Sequence, residues 1–190
     1  MNYNIILAGV GGQGGLSVSV IIARAAMKAG FQVKQSEVHG MSQRGGEVLA
    51  NLRISDGPLY SPTVPKGTAD LILAFEPLEA LRYIPWLNVE RGVVVTASEP
   101  IKNIPNYPDV DALLAEIRRL PRYKIVDADK IAKAAGNAHA GNIVLLGAAA
   151  ELMPIPLHEL EVALDEGFAK KGEAVVLANR KAFNEGRSQK

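Results

Sequence analysis

The feature that most constrains this chain's fold is the junction at its start. The apolar run Asn4-Ile5-Ile6-Leu7-Ala8 breaks at Gly9-Val10-Gly11-Gly12-Gln13-Gly14 and resumes as a long apolar stretch over 15–29. A short β-branched run that stops at glycine predicts a buried strand. Leu16, Val18, Val20, Ile21, Ile22, Ala23, Ala25, Ala26, Met27 and Ala29 leave almost no polar face. The helix they form is therefore expected to be buried on most sides, with Gly30 just past its end. Gly9, Gly11 and Gly14 also satisfy the G-x-G-x-x-G spacing of a dinucleotide turn, and Glu37 stands near the place of the acid that would hold ribose hydroxyls. A second reading needs no ligand: the glycines permit a tight turn and close helix–strand packing.

The rest of the chain repeats the alternation. Strands are expected at 31–38, 48–54, 69–75, 93–96 and 123–126, and helices at 76–83, 109–120, 127–135, 141–153, 157–169 and 173–185. The segments 58–68 and 99–108 carry three prolines each and read as irregular. The pattern predicts an α/β, Rossmann-like sandwich, in which helices flank a mostly parallel central sheet. The pair of strands at 31–38 and 48–54 can fold as a hairpin and make that sheet mixed.

A length of 190 residues fits one domain, 1–190, with a substantial core. The formal net charge of +1 gives no broad footprint for nucleic acid. No apolar run reaches the roughly 20 residues of a membrane span, and no charged leader precedes the first apolar run. A cytoplasmic location is the expectation. Cysteine is absent, which excludes disulfides, a cysteine nucleophile and cysteine-ligated zinc or iron–sulfur centres from this chain.

A second constellation lies at 36–46, Ser-Glu-Val-His-Gly-Met-Ser-Gln-Arg-Gly-Gly. Glu37, His39, Ser42, Gln43 and Arg44 stand ahead of Gly45-Gly46, a combination that can present backbone N–H groups and a guanidinium to a phosphate or carboxylate. It reads equally as a hydrogen-bonded connector or a subunit contact. The candidate binding residues are thus Gly9, Gly11, Gly12, Gln13 and Gly14, with Glu37, His39, Ser42, Gln43, Arg44, Gly45 and Gly46. No catalytic residue and no metal ligand is assigned. Arg53 is placed to reach a carboxylate or a surface ion pair. Glu76, Glu79 and Arg82 read as structural residues of a helix start. Asn142 reads as the cap of the helix after it, and His139 and His158 as surface residues.

Six segments, in order, carry a family resemblance. They are 9–14, 37–46, 52–56 (Leu-Arg-Ile-Ser-Asp), 69–82 (Ala-Asp-Leu-Ile-Leu-Ala-Phe-Glu-Pro-Leu-Glu-Ala-Leu-Arg), 141–148 (Gly-Asn-Ile-Val-Leu-Leu-Gly-Ala) and 179–186 (Asn-Arg-Lys-Ala-Phe-Asn-Glu-Gly). Together they resemble the gamma-type domain of 2-oxoacid:ferredoxin oxidoreductases, in particular its indolepyruvate branch, over nearly the whole chain. The resemblance implies a subunit of an enzyme that decarboxylates a 2-oxo acid oxidatively, makes an acyl-coenzyme A and passes electrons to ferredoxin. It implies thiamine diphosphate and 4Fe–4S clusters on a larger partner subunit, with coenzyme A as co-substrate and this chain inactive alone. The chain has no Gly-Asp-Gly motif for thiamine diphosphate; Ser55-Asp56-Gly57 is the nearest approach. The glycine turn and the 37–46 loop would then face the partner or a coenzyme A passage, and the isolated chain could pair with itself. The rival reading is a free-standing NAD- or FAD-binding oxidoreductase using Gly9, Gly11, Gly14 and Glu37. A third is a lone acyl- or coenzyme-A-binding module.

Overall fold

A computed structural model describes residues 1–39 and 45–189. Six strands, β1 (Asn2–Val10), β2 (Gln32–His39), β3 (Glu47–Ser55), β4 (Leu71–Ala74), β5 (Val93–Ala97) and β6 (Tyr123–Val126), form one sheet in the order β2-β3-β1-β4-β5-β6. β1, β4, β5 and β6 run parallel, while β3 is antiparallel to both β1 and β2. The sheet is therefore mixed, and the hairpin of β2 and β3 supplies the antiparallel part. The cause is local: a connection of seven residues between β2 and β3 cannot hold the crossover that parallel neighbours need.

Period-two burial sorts the strands' side chains onto two faces. Ile5, Leu7, Leu71, Leu73 and Val95 face α1 (Gly15–Lys28), α4 (Ala128–Ala134), α5 (Gly141–Ala149), α6 (Leu157–Phe168) and α7 (Glu173–Arg187). Ile6, Ala8, Ile72 and Val94 face α2 (Pro77–Arg82) and α3 (Val110–Arg118). The expected helix over 141–153 ends instead at Ala149, and a single tight turn, Ala150–Leu152, follows. Asp109 caps α3 by accepting from the Ala112 N–H at 2.9 Å.

Helix α1 is not buried on most sides. Leu16, Val20 and Met27 are 42%, 40% and 55% exposed. The helix meets the sheet and α6 on one side, and no described element covers the other. An apolar sequence all round a helix cannot tell which face its own chain will cover.

Helices α5 and α7 cross at contact distance. A Cβ on Gly147 would run into the Phe183 carbonyl, and one on Gly186 into the Val144 carbonyl. Glycine at both positions lets the two backbones touch and buries Phe183 completely.

Candidate functional site

The chain leaves β1 for α1 on one face of the sheet and leaves β4 for α2 on the other. The crevice between the two strand ends is where open α/β sheets bind ligands. The glycine turn lies there, yet two side chains already fill the crevice floor. Gln13 Oε1 accepts from the Val10 N–H at 2.7 Å, and Gln13 Nε2 donates to the Phe75 carbonyl at 2.6 Å. A Cβ on Gly9 would stand 3.1 Å from the Phe75 ring, and one on Gly15 would stand 2.9 Å from it. Gly14 starts α1 in the left-handed region (φ 77°), and its carbonyl accepts from Asn142 Nδ2 at 3.3 Å. Asn142 therefore ties α5 to the turn rather than capping its own helix, which begins after Ala140 without a side-chain cap.

The antiparallel course of β3 brings the second constellation to the first. Val10 pairs with Glu47 and Gly9 with Val48, so the start of β3 lies beside the end of β1. The Gly11 N–H donates to the Gly46 carbonyl at 2.8 Å, and the Gly45 N–H donates to the Gly11 carbonyl at 3.4 Å. Two glycine segments more than 30 residues apart thus form one continuous backbone surface. Residues 40–44, which include the expected binding residues Ser42, Gln43 and Arg44, lie outside the described residues, as does the side chain of His39.

Glu37 is exposed and accepts from Gln35 Nε2 at 2.7 Å. It pairs with Ala50 of β3, which pairs with Leu7 of β1. It is thus two strands from β1, roughly 10 Å at normal strand spacing, whereas the ribose-binding acid of a dinucleotide fold ends the strand next to β1. The inserted β3 removes the geometry on which the NAD or FAD reading depended.

Beside the glycine surface stands a cluster of ionisable groups anchored on α2. Glu76 is 1% exposed and accepts from the Glu79 N–H at 2.9 Å, capping α2, and from the Tyr107 hydroxyl. Burial pushes its pKa up to about 7; the Glu79 amide pulls it down, and the Glu79 charge raises it. Glu79, also buried, is held by Arg82 Nε at 3.0 Å. Its pKa is raised by burial and drawn back by that guanidinium. The Tyr83 hydroxyl donates to Glu47 at the start of β3, and burial together with that partner pushes the phenol above its usual range. From the segment after β5, Asn103 Nδ2 donates to the Gly45 carbonyl at 2.8 Å. Glu79 and Arg82 therefore pair within α2, and Arg82 Nε also stands 3.8 Å from Glu47 of β3. Glu47, Tyr83, Asn103 and Tyr107 were not singled out from sequence. Their partners lie 31 to 58 residues away in the chain, and no local spacing signals such pairs.

Two clefts flank the turn. One, of about 450 Å³, is lined by the turn itself with Leu7, Leu16, Val48, Ala50 and Phe75, and is mainly apolar. The other, of about 320 Å³, is lined on its polar side by Gln13, Glu99, Asp129, His139 and Asn142. Glu99 is engaged there, accepting from the Ala128 and Asp129 N–H groups at 3.2 and 3.1 Å. Among the described residues Arg53 meets no carboxylate; it donates to Asn4 Oδ1 at 2.9 Å and to the Ser61 carbonyl at 3.1 Å.

The chain has no cysteine. Among the described residues, no three His, Asp or Glu side chains gather to hold a metal ion. These residues do not fit an iron–sulfur cluster or a metal-bridged diphosphate. No described helix is long and apolar enough to cross a membrane.

A family model described as pyruvate ferredoxin/flavodoxin oxidoreductase matches residues 4–189. The indolepyruvate oxidoreductase subunit IorB of Archaeoglobus fulgidus is 40% identical over 197 residues, covering 100% of this chain and 96% of that protein. The pyruvate/ketoisovalerate oxidoreductases common subunit gamma of Pyrococcus abyssi is 28% identical over 186 residues, with 92% of each chain covered. Among solved structures, the gamma subunit of a keto/oxoacid ferredoxin oxidoreductase from Geobacter sulfurreducens aligns with a TM-score of 0.69 at 29% identity, covering 97% of this chain and 95% of that one. The 2-oxoglutarate:ferredoxin oxidoreductase of Magnetococcus marinus, solved with 2-oxoglutarate, coenzyme A and succinyl-CoA bound, aligns with a TM-score of 0.75 at 26% identity. The alignment covers 98% of this chain and 30% of that one, so the fold is there one part of a longer polypeptide.

Proposed function

This chain belongs to the pyruvate ferredoxin/flavodoxin oxidoreductase family, and from that premise we propose that it is the small subunit of a cytoplasmic 2-oxoacid:ferredoxin oxidoreductase acting on indolepyruvate or another aryl pyruvate. The reaction cleaves the bond between the carboxylate and the oxo carbon and releases carbon dioxide. It joins the acyl group to the coenzyme A thiol and passes two electrons to ferredoxin. Thiamine diphosphate and iron–sulfur clusters would supply the carbanion and electron chemistry from the larger partner subunit; this chain has no cysteine, and among the described residues no His, Asp or Glu cluster gathers to hold a metal ion.

This chain contributes a surface. The observation that carries the reading is the fusion of Gly9–Gly14 with Gly45-Gly46 through the Gly11–Gly46 hydrogen bond, beside an apolar cleft of about 450 Å³. Gly12 and Gly45 are exposed on this surface, and exposed glycine backbone lets another chain or a ligand approach closely. The apolar cleft suits the uncharged arm of coenzyme A. The second cleft is lined by Glu99 and Asp129 and repels its phosphates. The first turn of α1, which no side chain caps, offers them N–H groups instead.

Co-expression with the larger subunit tests the reading. It predicts a stable complex that reduces ferredoxin or a viologen dye with indolepyruvate and coenzyme A, and no activity from either chain alone. A chain that purifies alone, forms no complex with that subunit and binds NADH or FAD tightly would contradict it.

A further inference from the structure

Glu76 has no role in the surface just described, although it is among the most deeply buried charged groups of the chain. It lies at the C-terminal end of β4, and its helix-capping bond uses only one of its oxygens. The other oxygen receives the hydroxyl of Tyr107, 31 residues later. Tyr107 belongs to the segment between β5 and α3, which carries Pro100, Pro105 and Pro108. Proline fixes φ and lowers the freedom of a loop, so a few ties are enough to hold it. The second tie lies at Asn103, four residues before Tyr107, whose amide reaches the Gly45 carbonyl. Gly45 and Gly46 in turn hold Gly11. The path is continuous: a buried carboxylate on the core side, a stiffened loop, the second glycine segment, then the first.

We propose that the segment 99–108 is a strap, in which Asn103 and Tyr107 are positioning residues that hold Gly45-Gly46 against the Gly9–Gly14 turn from an anchor at Glu76. The neighbours of that anchor are engaged elsewhere: Glu79 is paired with Arg82, and Tyr83 ties Glu47 at the start of β3. Glu76 connects α2 to the strap through the Tyr107 hydroxyl and the Ile101 N–H. The strap rests on the proposed function only in what the positioned face is for; its own test is independent of that.

The test is amide hydrogen exchange on the full chain, read at Gly11, Gly45 and the β4 amides, for the wild type and four variants. Asn103→Ala and Tyr107→Phe are expected to speed exchange at Gly11 at least tenfold while leaving Leu71–Ala74 unchanged. Glu76→Gln has one acceptor oxygen for two donors, the Tyr107 hydroxyl and the Glu79 N–H, and is expected to lose part of the protection at Gly11, whereas Glu76→Ala loses it all. If Glu76→Ala fails to fold, the two strap variants decide the matter. Unchanged exchange at Gly11 in Asn103→Ala and Tyr107→Phe, or equal acceleration in β4, would overturn the proposal. In the assembled complex, the same two variants are expected to raise the KM for coenzyme A severalfold with kcat within twofold. Lost protection at Gly11 without that KM change would uphold the strap and count against the coenzyme A reading of the face.

Discussion

Glycine permits close approach at two places in this molecule, and they differ in what a side chain would meet. At the crossing of α5 and α7, a Cβ on Gly147 or Gly186 meets backbone carbonyls of the opposite helix. Backbone held in a helix cannot yield, so the contact is fixed and serves stability alone. At the turn after β1, a Cβ on Gly9 or Gly15 meets the Phe75 ring and the Gln13 amide, and one on Gly12 meets nothing within 4 Å. Side chains can shift and open space can be filled. The first pair of glycines is closed by backbone of its own chain, and the second is bounded by side chains and open space.

The largest effect should come at the helix crossing. Gly147→Ala or Gly186→Ala is expected to cost about 3 kcal/mol or more, since overpacking there has no side chain to relax. Urea unfolding measures it, and a loss under 1 kcal/mol would break the contrast. The turn region should also respond to pH through Glu76. Its pKa is raised from 4.5 to about 7 on folding, so the folded state binds its proton more tightly. The associated stability is fully present below about pH 4.5 and is lost as pH rises through 7. Unfolding at pH 5 and pH 8 should differ by on the order of 1–3 kcal/mol from this group, and Glu76→Gln should remove that part of the slope. Gly9→Ala should cost less than the helix-crossing variants, about 1–2 kcal/mol, because Gln13 and Phe75 can move; equal losses would erase the distinction. Gly12→Ala should cost least, about 1 kcal/mol from its positive φ of 105°. It should nonetheless weaken assembly with the larger subunit, as read by size-exclusion chromatography.

Much of the fold was legible in the chain because its signals are local. The run Ile5–Ala8 ending in glycine, the alternation in β3 and the Asp109 cap each act within a few residues. The pairing of Gly11 with Gly46 was not legible, because it depends on β3 entering the sheet beside β1. That same insertion separates Glu37 from the turn. The exposure of Leu16, Val20 and Met27 escaped notice because an all-apolar helix carries no mark of its open side. The Glu76–Tyr107 and Glu47–Tyr83 pairs escaped because each joins segments that only the finished sheet brings together.

On the proposed function, the joined glycine segments form the face that meets the larger subunit. Amide hydrogen exchange of this chain, alone and in the co-expressed complex, tests it directly. New protection is expected over residues 9–16 and 45–48, with the opposite end of the sheet, around 66–70 and 88–92, unchanged. Protection at that opposite end, with 9–16 exchanging as in the free chain, would contradict it.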